Sequence, residues 1–250
     1  MPEPIAPLPD AAAAAGEIER RLPPLSRRVI EEMYQNPFWR ERFGESGRQR
    51  AGEDGDFHVR YLAEAVRAGS PAVMVTYARW LRSLLVARGM CSRHLADNFA
   101  RLAAAVAADE TLPGRTLAVD LLIDAETALL YEEGEPRALQ DHAPQLAAEA
   151  VERLRARHPD WYTNQRGGWS RCVDDVLYHL SYLADALAAG RADLLAGYLK
   201  FIAGFLTKVG VPVAHLEETL ETLEATLVER GALLAASIEL LRTGRAALTA

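Results

Sequence analysis

The stretch 173-VDDVLYHLSYLADAL-187 decides the fold. Its apolar residues recur every three or four positions, which is the pattern of an amphipathic α-helix. An earlier stretch, 53-EDGDFHVRYLAEAV-66, has the same periodicity and the same polar residues at the same spacing. These polar residues lie about one helical turn apart, on one helix face. They are Asp54, His58 and Tyr61 in the first stretch and Asp175, His179 and Tyr182 in the second.

The two stretches belong to a longer internal repeat. An offset of about 121 residues aligns positions 47–102 with positions 168–223 without a gap, and about 16 of roughly 56 aligned positions are identical. The identities include glycine, histidine and tyrosine at fixed register, which shared helical composition alone does not explain. The sequence therefore predicts a tandem duplication.

Each copy predicts the same succession of helices. One helix ends at Gly69 or Gly190 and the next at Gly89 or Gly210, since glycine adopts the left-handed conformation that stops a helix. A third helix with leucine at helical spacing follows in each copy. Further helices are predicted near 25–36, 115–132, 145–158 and 232–248. We therefore expect two bundles of about four or five helices each.

The composition agrees with an all-α fold. Half of the 250 residues are hydrophobic, and aromatic residues account for only 7%. We expect a disordered Pro/Ala-rich tail over 1–24, a first helical unit over 25–134 and a second over 135–250. The boundary is placed at "YEEGEPRALQDHAP", where charges, glycine and two prolines interrupt the apolar periodicity.

Charge and hydropathy restrict the partners. A net charge of -7 disfavours nucleic acid, because an acidic surface repels phosphates. No window has the roughly 18 apolar residues of a membrane span, so we expect no membrane partner. The N-terminus lacks the basic and apolar regions of a secretory signal, and the two cysteines have no CxxC spacing. These features predict reduced thiols and a cytoplasmic protein of bacterial type.

The repeated polar ladder is the main candidate site. Asp can orient one imidazole nitrogen so that the other binds a metal ion, a tetrapyrrole iron or a substrate proton. The alternative is structural: an Arg–Asp–His hydrogen-bond ladder that fixes the long helix against its neighbours. The candidate ligand-binding residues are Arg50, Asp54, His58, Tyr61, Arg171, Asp175, His179 and Tyr182, and His58 and His179 are also metal candidates.

The remaining histidines and motifs give weaker evidence of a functional site. His94 and His215 form a second repeated pair and are expected to be solvated or helix-capping side chains. His142 and His158 have no counterpart in the other copy and receive no role. No ExxH, HExxH or GxSxG motif occurs, which argues against ferritin-like di-iron proteins, zinc proteases and serine hydrolases.

The run 182-YLADALAAGRADLLAGYLKFIAGFLTKVGVPVAHLEETLETL-223 has a helix–Gly–helix–GVP–helix rhythm. It resembles the helical bundle modules of bacterial sensors that bind cobalamin or related tetrapyrroles. The resemblance implies a small-molecule sensing or docking module rather than a catalyst. The Asp-x-His-x-x-Gly cobalamin loop of that family does not occur in this sequence, so no family site residue carries over.

Three functional hypotheses follow. The leading one is a small-molecule-binding sensor or regulatory protein, with a pocket between the two repeated bundles and a tetrapyrrole as one candidate ligand. The second is a metal-dependent, oxygen-using enzyme with ligands among Asp54, His58, Asp175 and His179. The third is a structural adaptor that binds a protein partner and no small ligand. The sequence favours a non-catalytic role.

Overall fold

The computed structural model describes residues 10–162 and 168–248. Within these residues the regular secondary structure is ten α-helices and one short 3-10 helix, with no β-strand. The predicted all-α class is confirmed, and the packing of helix against helix is compatible with bundles. The tandem duplication stays a prediction. Among the same residues, no helix combines the length and the apolar character needed to cross a membrane.

Five helices form in the first half of the chain. They are α1 (Ala11–Tyr34), α2 (Pro37–Ala68), α3 (Pro71–Ala87), α4 (Ser92–Ala107) and α5 (Arg115–Thr127). The second half contains α6 (Gly134–Arg157), α7 (Gly168–Ala189), α8 (Ala192–Lys208), α9 (Val213–Val228), a 3-10 helix (Gly231–Leu234) and α10 (Ala235–Ala246).

The chain forms two compact units. Unit 1 contains residues 10–84 and 94–129, and unit 2 contains residues 85–93, 130–162 and 168–248. The observed boundary thus lies a few residues before the predicted one at 134/135. The assignment of residues 85–93 to unit 2 is not apparent from the repeat.

The predicted disordered tail needs a correction. Helix α1 begins at Ala11, and the side chain of Asp10 caps it by accepting the Ala13 N–H at 3.0 Å. Ile18 and Leu22 are fully buried where α1 packs along α2. Alanine is the strongest helix former, and the buried apolar face outweighs the prolines further along the helix. Residues 11–24 are therefore helical, whereas residues 1–9 lie outside the described part of the chain.

The predicted glycine stops are confirmed. Gly69 and Gly190 have φ values of 60° and 62°, and Gly89 and Gly210 have values of 87° and 76°. These are left-handed conformations, which non-glycine residues adopt at a cost. A further glycine, Gly44, has φ 65° and ψ -170° inside α2 and kinks that helix, which the sequence pattern did not predict.

Candidate functional site

Each ladder histidine lies in a cluster with two tyrosines. The unit 1 cluster consists of His58, Tyr61 and Tyr77, and the unit 2 cluster consists of His179, Tyr182 and Tyr198. In unit 1, Nδ1 of His58 lies 2.7 Å from the hydroxyl of Tyr77. In unit 2, the corresponding distance from His179 to Tyr198 is 2.9 Å. The two units thus repeat the same contact between neighbouring helices.

The tyrosine rings repeat as well. Tyr61 stacks on Tyr77 with ring centroids 4.0 Å apart, and Tyr182 stacks on Tyr198 at 3.7 Å. The planes are tilted by only 15° and 11°. Stacked rings beside a buried imidazole form a tightly packed helix interface.

Burial keeps both histidines neutral. It lowers the pKa of His58 to about 3 and that of His179 to about 4. It also raises the pKa of the Tyr77 and Tyr198 hydroxyls, which therefore stay protonated. A neutral imidazole and a neutral phenol satisfy each other by one hydrogen bond, as buried polar groups require. The observed contact is thus a structural one between histidine and tyrosine, and the predicted Arg–Asp–His ladder stays a prediction.

The arginines and aspartates of the ladders lie nearer the surface. Arg50 is exposed on α2, and Asp54 is half-buried, with a charge that contributes to the raised pKa of Tyr77. Asp175 on α7 is also half-buried as a residue. Burial of its carboxyl raises the pKa to about 6, against the opposing effect of Arg171 and with a smaller contribution from the Asp174 charge. The Asp175 carboxyl thus binds a proton more tightly than an ordinary aspartate does.

The described part of the chain does not supply the further ligands that a metal role for the histidines needs. Among residues 10–162 and 168–248, no group of three or more His, Cys, Asp or Glu side chains is arranged to hold a metal ion. A protein metal site usually needs three or four such ligands. His58 and His179 belong to different units, and each contacts aromatic rings of its own unit.

The sequence pattern did not identify Asp185 of α7. Its side chain is fully buried and accepts hydrogen bonds from the Ser92 backbone N–H at 2.5 Å and from the Tyr131 hydroxyl at 2.6 Å. Because Ser92 is the first residue of α4, Asp185 caps that helix from a distant part of the chain. The available signal was an aspartate three residues after Tyr182, in a run of mainly apolar residues.

Residues 85–93 cover the aromatic surface of unit 2; we call them the covering segment. Tyr182 donates a hydrogen bond to the Gly89 carbonyl at 3.2 Å. The guanidinium of Arg93 lies over the ring of Tyr178 at 5.4 Å, and its backbone N–H donates to Ser181 at 3.2 Å. As a result Tyr182 has no exposed surface.

The equivalent surface of unit 1 is exposed. Phe57, Tyr61 and Trp80 have exposed fractions of 47%, 39% and 57%. We call these three residues the aromatic face of unit 1. Tyr77, stacked on Tyr61, lies 6.2 Å from Trp80 between ring centroids, which makes the face continuous across α2 and α3.

The second histidine pair is packed against tryptophan in both units. His94 is buried among Phe38, Trp39 and Phe43, at centroid distances of 4.8 to 5.9 Å, so the expectation of a solvated or capping side chain is wrong for this residue. His94 is buried rather than solvated because three aromatic rings pack around it, which the sequence pattern does not show.

In unit 2 the equivalent His215 is half-buried. It stacks on Trp161 at 3.7 Å, and the other face of Trp161 stacks on His158 at 4.0 Å. His158, which received no role from the sequence, also contacts the Glu218 carboxylate. Burial and the neighbouring His158 lower the pKa of His215.

The two cysteines are buried thiols and form no disulfide. Burial raises the pKa of Cys172 to about 11, and its thiol is hydrogen-bonded to Tyr162. Such a thiol is a poor nucleophile, because the reactive thiolate is scarce at neutral pH.

The surface also carries shallow grooves. Two lie between α1 and α2, and a third lies between α9 and α10. Their linings are mainly charged; in the third, Arg242 and Arg245 hold the Glu224 carboxylate. No ladder residue lines any of the three grooves.

Nothing matched this chain in comparisons with family models, with curated proteins and with solved structures. The resemblance to tetrapyrrole-binding sensor modules therefore stays a prediction.

Proposed function

We propose that this chain is a helical adaptor, a protein whose helix surfaces bind a protein partner. The observation that carries the proposal is the position of the ladder histidines. His58 and His179 are buried, neutral and hydrogen-bonded to Tyr77 and Tyr198. Side chains engaged in this way hold two helices together, which is the work of a scaffold.

The aromatic face of unit 1 supplies the binding surface in this proposal. Neighbouring large aromatic side chains are enriched at the centres of protein interfaces, because they bury much apolar area at a low entropic cost. Phe57, Tyr61 and Trp80 are each more than a third exposed. Exposed apolar patches on soluble proteins commonly mark interaction sites.

A small-molecule sensor is the second candidate, and Asp175 is the observation that favours it. Its carboxyl has a pKa of about 6 and acts electrostatically on Tyr162, Cys172 and Tyr198. Perturbed ionisable groups concentrate at binding sites. In this version of the proposal, Asp175 lies at the entrance to a ligand site of unit 2, and a tetrapyrrole is one candidate ligand. Both candidates place the protein in the cytoplasm, in keeping with its two reduced thiols.

The decisive experiment uses the purified full-length chain. Visible absorption and elemental analysis measure bound chromophore and metal, and chemical denaturation measures stability for the parent, His58→Ala and His179→Ala. We expect no stoichiometric chromophore or metal in the parent, because the histidine nitrogens serve internal packing. Each substitution should lower the free energy of unfolding by about 1–3 kcal/mol, since it leaves a buried tyrosine hydroxyl without its partner.

His142→Ala is the matched control, because this histidine lies on α6 outside both clusters. Its substitution should change stability by less than about 0.5 kcal/mol. A stoichiometric chromophore or metal in the parent, lost in the His58 and His179 variants without a change in stability, would contradict the adaptor and support the sensor.

A further inference from the structure

The covering segment of unit 2 has a counterpart later in the chain. The repeat aligns residues 85–93 with residues 206–214, and both include a helix-terminating glycine with positive φ. We call residues 206–214 the second turn. The same alignment pairs the aromatic face of unit 1 with Tyr178, Tyr182 and Phe201 of unit 2. Unit 2 thus contains both a covered face and a second turn.

The second turn is exposed where the covering segment is buried. Cys91 and Ser92 of the covering segment are buried, whereas the aligned Pro212 is exposed and Val213 is half-buried. Val209 and Gly210 are exposed as well. An exposed turn with three valines and one proline has apolar area left to bury.

The helix that follows the second turn differs from α4 in its cap. The α4 N-terminus is held by the Asp185 carboxylate, which accepts the Ser92 N–H. Helix α9 has Pro212 at its N-cap position, and no side chain caps it. The residue of unit 1 aligned with Asp185 is Glu64, whose carboxylate lies on the surface of α2 in an ion pair with Arg67. A carboxylate at a helix N-terminus is favourable, because it accepts backbone N–H groups and complements the helix dipole.

We propose that the aromatic face of unit 1 binds the second turn of another copy of this chain, in the way that unit 2 binds the covering segment. This inference names the partner of the proposed adaptor and rests on that function. The Tyr61 hydroxyl donates to the Gly210 carbonyl, as Tyr182 donates to Gly89. Glu64 leaves Arg67 and caps α9 through the Val213 N–H, as Asp185 caps α4. Phe57 and Trp80 lose their exposed area in the process.

This contact joins two different surfaces. Each copy offers one aromatic face and one second turn, so the interface is heterologous, and copies associate head to tail into a ring or an open chain. A face-to-face dimer would instead use one surface twice. The two arrangements respond differently to substitutions on one surface, which makes the proposal testable.

The test is sedimentation velocity on the full chain, from low micromolar to several hundred micromolar. Phe57→Glu blocks the face and Pro212→Glu blocks the turn, each at an exposed position. We expect the wild type to grow beyond a dimer with concentration, and each variant alone to associate at least about tenfold more weakly. An equimolar mixture of the variants should stop at a dimer, because one intact face and one intact turn remain.

Ile123→Glu on α5 and Val228→Glu on α9 are the matched controls. Both replace half-exposed apolar residues outside the proposed contact, and both should associate like the wild type. Circular dichroism and melting curves establish that every variant folds. Tyr61→Phe, which removes only the donated hydroxyl, should weaken association by a smaller factor than Phe57→Glu.

Four results would overturn the inference. These are a wild type that is monomeric throughout, a mixture that forms no dimer, Pro212→Glu behaving like the wild type, or a monomer that assembles only after deletion of residues 1–9. A monomer without chromophore or metal removes the self-association and leaves the adaptor proposal standing. A stoichiometric ligand bound through His58 and His179 removes the adaptor itself.

Discussion

Tyr61 and Tyr182 occupy aligned positions, stack on aligned tyrosines and follow aligned histidines, yet one is 39% exposed and the other is completely buried. Their clusters have nearly the same geometry, so the difference arises outside the clusters. In unit 2 the covering segment places the Gly89 carbonyl over Tyr182. Similar interiors can therefore carry different surfaces: the one in unit 2 is covered, and the one in unit 1 is exposed.

The aligned carboxylates Glu64 and Asp185 show a second difference between the units. Asp185 has no exposed surface and accepts hydrogen bonds from Ser92 and Tyr131. Glu64 is 60% exposed and pairs with Arg67 one turn away. A buried carboxylate is stable only with such donors, whereas an exposed ion pair contributes little. The Asp185 carboxylate thus joins Ser92 and Tyr131 within unit 2, whereas the Glu64 carboxylate remains at the surface of unit 1.

Replacing the aligned tyrosines should give the largest difference between the units. Tyr182→Ala removes a fully buried ring and leaves a cavity, so we expect it to lower the free energy of unfolding by about 3–5 kcal/mol. Tyr61→Ala should cost only about 1 kcal/mol, because that ring already contacts water. Urea denaturation monitored by circular dichroism measures both free energies of unfolding. Equal losses would mean that the covering segment does not make Tyr182 more important for stability than Tyr61.

The aligned carboxylates provide the next test. Asp185→Ala leaves the Ser92 N–H and the Tyr131 hydroxyl without their acceptor, and we expect a loss of about 3 kcal/mol. Glu64→Ala should change the stability of the monomer by less than about 0.5 kcal/mol, because the Arg67 ion pair is exposed. Hydrogen exchange at the start of α4 should accelerate only in the Asp185 variant. Unchanged protection there would show that Asp185 is not the cap.

The smallest expected effect concerns pH. The carboxyl of Asp175 has a pKa of about 6 in the folded chain and about 4 in an unfolded one, so the folded state binds the extra proton. Its contribution to stability is therefore lost as pH rises from about 4 to about 6. Asp175→Asn should be more stable than the wild type at pH 7 by roughly 1–2 kcal/mol, a value reduced because the side chain is partly solvated.

A second variant tests the same effect. Asp174→Asn, at the exposed neighbouring position on α7, removes a charge that contributes to the raised pKa of Asp175, so it should reduce the pH dependence without removing it. If the stability difference between Asp175→Asn and the wild type does not change with pH, Asp175 does not bind the extra proton, and the sensor site in unit 2 loses its support.

Local sequence patterns were sufficient for the helices and their ends. Gly69 and Gly190 stop their helices as expected, because backbone conformation there depends on the residue itself. The ladder spacing also placed His58 and His179 correctly on helix faces. Their hydrogen-bond partners lie on the following helix, so periodicity within one helix did not identify them.

Contacts between distant parts of the chain were not predictable. Asp185 and Ser92 are 93 positions apart, and no local rule relates an aspartate in one repeat to the start of a helix in the other. The burial of His94 among aromatic rings depends in the same way on residues of α2. The Pro/Ala-rich composition predicts disorder over residues 1–24, whereas Ile18 and Leu22 give α1 an apolar face that is buried in the structure.

Both cysteines of the chain, Cys91 and Cys172, lie in unit 2 and are buried. At neutral pH a thiol with a pKa near 11 is ionised in only about one molecule in ten thousand, so alkylation of Cys172 is slow while the unit stays closed. Labelling therefore requires an opening motion of unit 2, and unit 1 adds no background. The rate at which the native cysteines are alkylated therefore measures how often unit 2 opens.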